Sequence, residues 1–129
     1  MIKVNEIAFV GYPVTDLPRA RAFYEGIIHL TPSMVHESED KKTGWVEYDI
    51  ASGTFAIACM ADGQWLPSSS GPSCAFEVED FDHAIASLRE AGVTFKFEPF
   101  ESPVCHMALV SDPDGNLVTI HKRKAPAAS

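Results

Sequence analysis

The sequence VTDLPRARA at residues 14–22 returns as VEDFDHAIA at residues 78–86. One valine, one aspartate and two alanines coincide in the two copies, and Leu17 aligns with Phe81. Each copy follows a short apolar stretch, IAFVGYPV before the first and SCAFEVE before the second. Two related halves are too few for a solenoid, which needs about three or more repeats. The sequence therefore predicts a duplicated module.

Both copies carry the signals of a helix N-terminus. Asp16 and Asp80 are of the N-cap type, and Pro18 falls in the first turn, where its missing N–H costs nothing. Apolar residues then recur at helical spacing, at Ala20, Phe23, Tyr24 and Ile27 in the first half and Ala84, Ile85, Leu88 and Ala91 in the second. Gly92 is typical of a left-handed residue that ends a helix.

The remaining apolar segments predict strands, at residues 45–50, 54–60, 93–97, 105–110 and 117–121. Residues 62–72 are rich in Gly, Pro and Ser, which predicts a linker between a module at 1–61 and a module at 73–125. We therefore predict one domain over residues 1–129, of the α+β class. It consists of two tandem βαβββ modules, whose curved mixed sheets form a cavity with the helices outside.

Composition excludes several classes of partner. Ten basic side chains stand against eighteen acidic ones in 129 residues, a formal net charge of -8, which repels nucleic acid phosphates and anionic membranes. The sequence contains no run of about 18 apolar residues, so it predicts no membrane span. Its N-terminus does not resemble a signal peptide. An odd number of cysteines without a Cys-x-x-Cys pair argues against a disulfide framework or a zinc clip, and predicts a reducing cytoplasm.

Three ordered motifs, VTDLPRARAFYEG, DFDHAIASLREAGV and DPDGN, resemble the vicinal oxygen chelate superfamily. That group includes glyoxalases, bleomycin resistance proteins and extradiol dioxygenases, and the resemblance covers nearly the whole chain. DPDGN alone is a weak signal, because any such sequence makes a good turn. The resemblance implies the duplicated fold and a homodimer. It also implies, in many members, a divalent metal held by His and Glu that polarises substrate oxygens. Bleomycin-binding members keep the cavity without catalysis.

The resemblance places the metal ligands seven residues before each capping Asp and four residues after each turn Gly. In this chain those positions hold Phe9, Ile57, Ser73 and Thr119. Phenylalanine and isoleucine cannot coordinate a metal, and neutral hydroxyls are poor lone ligands. The sequence therefore predicts no metal ligands and no cofactor, and it disfavours a divalent metal.

Strand alternation predicts which side chains face the cavity. The inward set is Ile7, Phe9, Gly11 and Pro13, then Phe55, Ile57 and Cys59, then Ser73, Ala75 and Glu77, and finally Leu117, Thr119 and His121. Two strands leave both orientations open. In 45–50, either Trp45, Glu47 and Asp49 or Val46, Tyr48 and Ile50 face inward. In 104–110, either Cys105, Met107 and Leu109 or Val104, His106, Ala108 and Val110 do.

A small-molecule site needs apolar and aromatic walls with a few polar groups. The predicted ligand-binding residues are Phe9, Trp45, Glu47, Ile57, Ser73, Glu77, His106, Thr119 and His121. Four of them could move protons, namely His106, Glu47, Glu77 and His121. Each also has an ordinary interpretation: a surface salt bridge for Glu77, an exposed terminal histidine for His121, and a hydrogen-bonded structural histidine for His106.

Three functional hypotheses follow from these residues. The first is a protein that binds a small organic molecule, aromatic or cationic, without catalysis. The second is an enzyme of the same superfamily, a metal-dependent or atypical lyase, isomerase or dioxygenase. The third is an interaction domain whose pocket is closed. The missing metal ligands favour the first.

Overall fold

The computed structural model describes residues 1–125, which fall into two units, Met1–Pro67 and the described part of Ser68–Ser129. The boundary lies inside the segment 62–72. The elements of the first unit are β1 (Val10–Pro13), α1 (Leu17–Arg21), a π-helical segment (Ala22–Ile27), β2 (Met34–Glu37), β3 (Gly44–Ile50) and β4 (Gly53–Cys59). Those of the second are β5 (Cys74–Glu77), α2 (Phe81–Glu90), β6 (Phe95–Glu101), β7 (Cys105–Ser111) and β8 (Leu117–Arg123).

The two sheets have the same topology. Their strand orders are β1-β4-β3-β2 and β5-β8-β7-β6. The first strand of each module runs parallel to the last, and the other pairs are antiparallel. The predicted α+β class, with two βαβββ modules and curved mixed sheets, is confirmed. No helix in residues 1–125 has the length and apolar character to cross a membrane.

The repeated aspartates begin the two helices in the same way. Arg19 donates its backbone N–H to Asp16 Oδ1 at 3.0 Å, and His83 donates to Asp80 Oδ1 at 3.0 Å. Both contacts satisfy a backbone donor that has no partner within the helix. Gly92 has φ 76°, the left-handed conformation that was expected after α2. The predicted helix starts and the glycine that ends α2 are confirmed.

Strand β2 was missed by sequence reasoning. Residues 36–42 look like a solvated charged loop, yet Met34–Glu37 pairs with β3 in antiparallel register, with His36 opposite Trp45. The segment is four residues long and mostly exposed, so it has no apolar alternation of its own. Its strand conformation comes from hydrogen bonding to β3, which local sequence does not encode.

Each sheet has a helix-facing side and an opposite side, here called the open face. In the first unit the Tyr24 ring lies 5.1 Å from that of Phe55, and Tyr48 donates its hydroxyl to Glu25 in the helical segment. Val46 and Tyr48 are therefore helix-facing, and Trp45, Glu47 and Asp49 lie on the open face. This settles the orientation of residues 45–50 that the sequence left open.

The predicted inward orientation of Phe55, Ile57 and Cys59 is wrong. Register places Phe55 opposite Tyr48 and Ile57 opposite Val46, so both are helix-facing. Their neighbours Ala56 and Ala58 take the open face instead. All four of these β4 residues are at most 2% exposed. A strand buried on both faces reads as a continuous apolar run, so its orientation cannot be read from alternation.

The second sheet resolves the other open orientation. Ala108 and Val110 lie opposite Ile120 and Val118, and all four side chains are buried. His106 shares their side, because its ring lies 5.5 Å from that of Phe81, the first residue of α2. Met107 and its alternating neighbours therefore lie on the open face, where they join Leu117, Thr119 and His121.

Candidate functional site

The open face of the first sheet carries an aromatic cluster, formed by Phe9, Trp45 and Trp65. The rings of Phe9 and Trp45 meet edge to face, with centroids 5.1 Å apart and planes at 87°. Phe9 and Trp65 both lie over Gly11. A Cβ added to that glycine would stand 3.0 Å from Trp65 Cη2 and 3.4 Å from Phe9 Cε2. The absence of a side chain at Gly11 therefore lets both rings approach the strand.

Small residues form the floor under this cluster. Gly11 lies opposite Ala56, and Glu47 lies opposite the same alanine from the other side. In the next row Ala58 lies between Pro13 and Trp45. The two alanines are at most 1% exposed, whereas Phe9 and Trp65 are 48% and 40% exposed. The rings, and not the floor, therefore present apolar surface to a ligand.

A carboxylate is fixed beside the rings. Trp45 donates its indole Nε1–H to Glu47 Oε2 at 2.8 Å, and both residues are partly buried in β3. Hydrogen bonds to ionised acceptors are about twice as strong as neutral ones, so this bond orients the indole and the carboxylate together. Met34 and His36 of β2 lie opposite Glu47 and Trp45 on this face. Both were missed because β2 was missed.

On the open face of the second sheet, Ser73 and Thr119 converge. Their hydroxyl oxygens are 2.7 Å apart, and Thr119 is 4% exposed. These are the two positions of this module at which the resemblance implies metal ligands. The hydroxyls share one hydrogen bond and offer no carboxylate or imidazole, so they do not fit a divalent ion. Within residues 1–125, no group of three His, Cys, Asp or Glu side chains could hold a metal.

Glu77 and His121 form a second polar pair on this face. His121 Nδ1 lies 2.5 Å from Glu77 Oε1, and Arg123 donates its backbone N–H to Glu77 Oε2 at 2.8 Å. The Arg123 bond and then the His121 contact hold the pKa of the Glu77 carboxyl below its usual value. The carboxylate is therefore ionised at neutral pH and held at both oxygens.

His106 and Ile57 lie away from these groups. Ile57 is fully buried on the helix-facing side of β4. His106 lines a surface pocket of about 410 Å³ at the start of α2, with Glu79, Asp80, Phe81, Asp82 and Lys122. Its Nδ1 is 3.9 Å from Glu101 Oε2, which is too long for a hydrogen bond. The structure therefore does not bring His106 together with Thr119 or His121, nor Ile57 with the aromatic cluster.

Trp65 and the two floor alanines, Ala56 and Ala58, are the members of this site that sequence reasoning did not place. Trp65 follows β4 in the Gly- and Pro-containing segment 62–72. Its position over Gly11 depends on the path of that segment, and no helical or strand periodicity in the sequence predicts this path. Ala56 and Ala58 could have been found only from the register between β3 and β4.

Several solved structures share this fold. TnmS3, an antibiotic binding protein from Streptomyces sp. CB03234, superposes with a TM-score of 0.71 at 20% identity, over 96% of this chain and 100% of its own. A glyoxalase/bleomycin resistance protein from the same organism gives 0.67 at 23% identity, over 89% and 98%. UcmS2 gives 0.72 at 19% identity, over 92% and 98%. At these identities the likeness shows the fold alone.

A comparison with curated proteins found no match. A family model does match, over residues 6–120, which span the first strand of one module to the last strand of the other. The matched range contains both capping aspartates and the DPDGN turn. This chain therefore belongs to the Glyoxalase/Bleomycin resistance protein/Dioxygenase superfamily.

Proposed function

We propose that this protein binds a small organic molecule on the aromatic cluster of its first unit, without a metal ion. The observation that carries the proposal is the arrangement of Phe9, Trp45 and Glu47, in which two perpendicular rings stand beside a carboxylate held by an indole N–H. Ligand sites combine such apolar walls with a few fixed polar groups. The poor fit of the Ser73 and Thr119 hydroxyls to a metal supports a metal-independent mode.

The chemistry of the site suits a planar aromatic ligand that carries a positive charge. Half-exposed aromatic rings gain about 0.5–1.5 kcal/mol for each favourable ring contact. A cation next to Glu47 gains from the carboxylate and from the faces of the indole rings. The net charge of -8 further raises the local concentration of cations and excludes anions.

The comparisons support the binding role without assigning it. TnmS3 is described as an antibiotic binding protein, and it shares the fold of this chain. We extend the proposal to a homodimer in the cytoplasm, as the superfamily resemblance and the odd cysteine count suggest. Sedimentation of the purified chain at several concentrations would test the assembly, and a single species of monomer mass would rule it out.

The ligand class is tested by calorimetric titration with three planar dyes of similar size, one cationic, one neutral and one anionic. We expect the cationic dye to bind most tightly. Glu47→Gln keeps a group that can accept the indole N–H but removes the charge. It should weaken binding of the cationic dye about fivefold, the equivalent of about 1 kcal/mol, and leave the neutral dye unchanged.

Phe9→Ala and Phe97→Ala are matched variants for the same titrations. Both replace an exposed phenylalanine, 48% and 52% exposed, and only Phe9 belongs to the cluster. Phe9→Ala should weaken every dye that binds, and Phe97→Ala should weaken none of them. Equal losses in the two variants would show that the dyes bind exposed apolar surface without selecting this site.

A further inference from the structure

One row of side chains crosses all four strands of the second sheet on its open face. Glu77 of β5 lies opposite His121 of β8, His121 lies opposite Met107 of β7, and Met107 lies opposite Phe100 of β6. Side chains directly opposite one another share a face. An anchored carboxylate, an imidazole, a thioether and a half-exposed phenyl ring therefore stand side by side.

The two ends of this row differ in chemistry. At one end, Glu77 is held at both oxygens, by His121 Nδ1 and by the Arg123 backbone N–H. An ionised carboxylate only accepts hydrogen bonds, so the contact places a proton on Nδ1, and a ring that carries one proton then presents Nε2 as an acceptor. At the other end, Met107 and Phe100 form an apolar shelf, and Phe100 is 47% exposed.

Spacing within the row sets the shape of a matching ligand. Neighbouring strands are about 4.8 Å apart, so Met107 is about 5 Å from His121 along the row, and Phe100 lies one strand further, next to a register shift in the β6–β7 pairing. An aromatic ring resting on Met107 makes favourable contacts with the sulfur, and its far edge can meet the Phe100 ring. A hydroxyl on the near edge of that ring then reaches the imidazole.

We propose that this row is a second binding site, specific for hydroxyaromatic compounds, in which His121 Nε2 accepts the hydrogen bond of the ligand hydroxyl. Glu77 is the positioning residue that fixes the His121 tautomer. No covalent step is required, and the site lies wholly in the second unit. It shares no residue with the aromatic cluster around Trp45.

Two probes that differ only in the hydroxyl test the site, namely 2-naphthol and 2-methoxynaphthalene in equilibrium dialysis with the full chain. The methyl ether cannot donate a hydrogen bond. We expect the protein to prefer 2-naphthol about three- to tenfold, the effect of one hydrogen bond. His121→Phe keeps a ring but removes the acceptor, and should abolish this preference. His83→Gln, which changes an exposed histidine of α2, should preserve it.

Glu77→Gln gives an independent readout if His121→Phe does not fold. Nitrogen chemical shifts of His121 should report the Nδ1–H tautomer in the unchanged chain and a mixture of tautomers in Glu77→Gln. Trp45→Ala should weaken the cationic dye and leave the naphthol preference intact, which separates this site from the proposed function. The site is overturned if the unchanged chain shows no preference for 2-naphthol, or if His121→Phe retains it.

Discussion

The sequence placed Ser73 and Thr119 on the same face of the second module, but it did not predict the hydrogen bond between them. Counting from the capping aspartates and turn glycines, with the offsets that the superfamily resemblance implies, placed them at metal-ligand positions of the second module, and the structure joins their hydroxyls at 2.7 Å. The same counting placed Ile57 on the open face of the first unit, where it does not lie. Both positions are buried, but polar Thr119 and His121 alternate with apolar Val118 and Ile120, whereas residues 55–58 contain no polar side chain that marks a face.

Gly11 gives a residue-scale prediction about the aromatic cluster. Gly11→Ala places a methyl group 3.0 Å from Trp65 Cη2, so the indole must shift by a few tenths of an ångström from its position over the strand. We expect the affinity for a cationic aromatic dye to fall several-fold, while the midpoint of urea unfolding changes little, because the crowded atom is at the end of a side chain. Titration calorimetry and urea unfolding measure the two quantities.

Gly53→Ala is the control for that variant. It adds the same methyl group to the same unit, but its nearest contact would be the Ile50 carbonyl oxygen at an ordinary 3.7 Å. Dye affinity should be unchanged in Gly53→Ala. If both variants bind the dye as the unchanged chain does, the rings over Gly11 are not part of the binding surface.

At the scale of elements, the first helix was predicted only in part from local sequence patterns. Apolar spacing predicted its buried stripe, and Ala20, Phe23 and Tyr24 are indeed buried. Helical spacing does not predict the change to π-helical hydrogen bonding at Ala22–Ile27. At the start of this segment the Arg21 guanidinium contacts the carboxylates of Glu25 and Glu37, each at 2.6 Å. These contacts join the helix to β2, the strand that the sequence did not reveal.

Tyr48 connects the same network to β3, and this connection has a defined pH dependence. Its hydroxyl donates to Glu25 Oε2 at 2.9 Å. Partial burial works against the charged form of Glu25, but the bonds from Arg21 and Tyr48 outweigh it and lower the pKa of this carboxyl. Since folding lowers the pKa, the network stabilises the fold at neutral pH. That contribution is lost as the pH falls below the ordinary range of a glutamate.

Tyr48→Phe tests this account by urea unfolding at neutral and at acid pH. Loss of a bond to a charged group should lower the free energy of unfolding by about 1.5–3 kcal/mol at pH about 7, and by clearly less once Glu25 is protonated. Glu98→Gln is the control, because the Arg89–Glu98 pair is exposed and should contribute little at either pH. An equal loss from Tyr48→Phe at both values would mean that the hydroxyl does not act through the Glu25 charge.

At the scale of the whole molecule, the duplication was readable because the same physical need recurs in both halves. In each module a helix follows the first strand and begins with an N-cap residue. Asp16 and Asp80 are these N-cap residues, and they can be recognised in the sequence. Strand pairing leaves no such record, so β2 and the orientation of β4 were found only in the structure. The acidic composition is likewise a property of the whole chain, and it favours a cationic ligand over an anionic one.

The chain has two tryptophans, Trp45 and Trp65, and both belong to the aromatic cluster. Intrinsic tryptophan fluorescence, titrated with a planar cationic dye, therefore measures ligand binding at the proposed site directly. The account predicts saturable quenching with one binding constant. Trp65→Phe should still bind the dye, but with lower affinity. The double variant Trp45→Phe with Glu47→Gln should have a lower affinity still. Dye binding that is detected by dialysis but leaves the fluorescence of both tryptophans unchanged would contradict it.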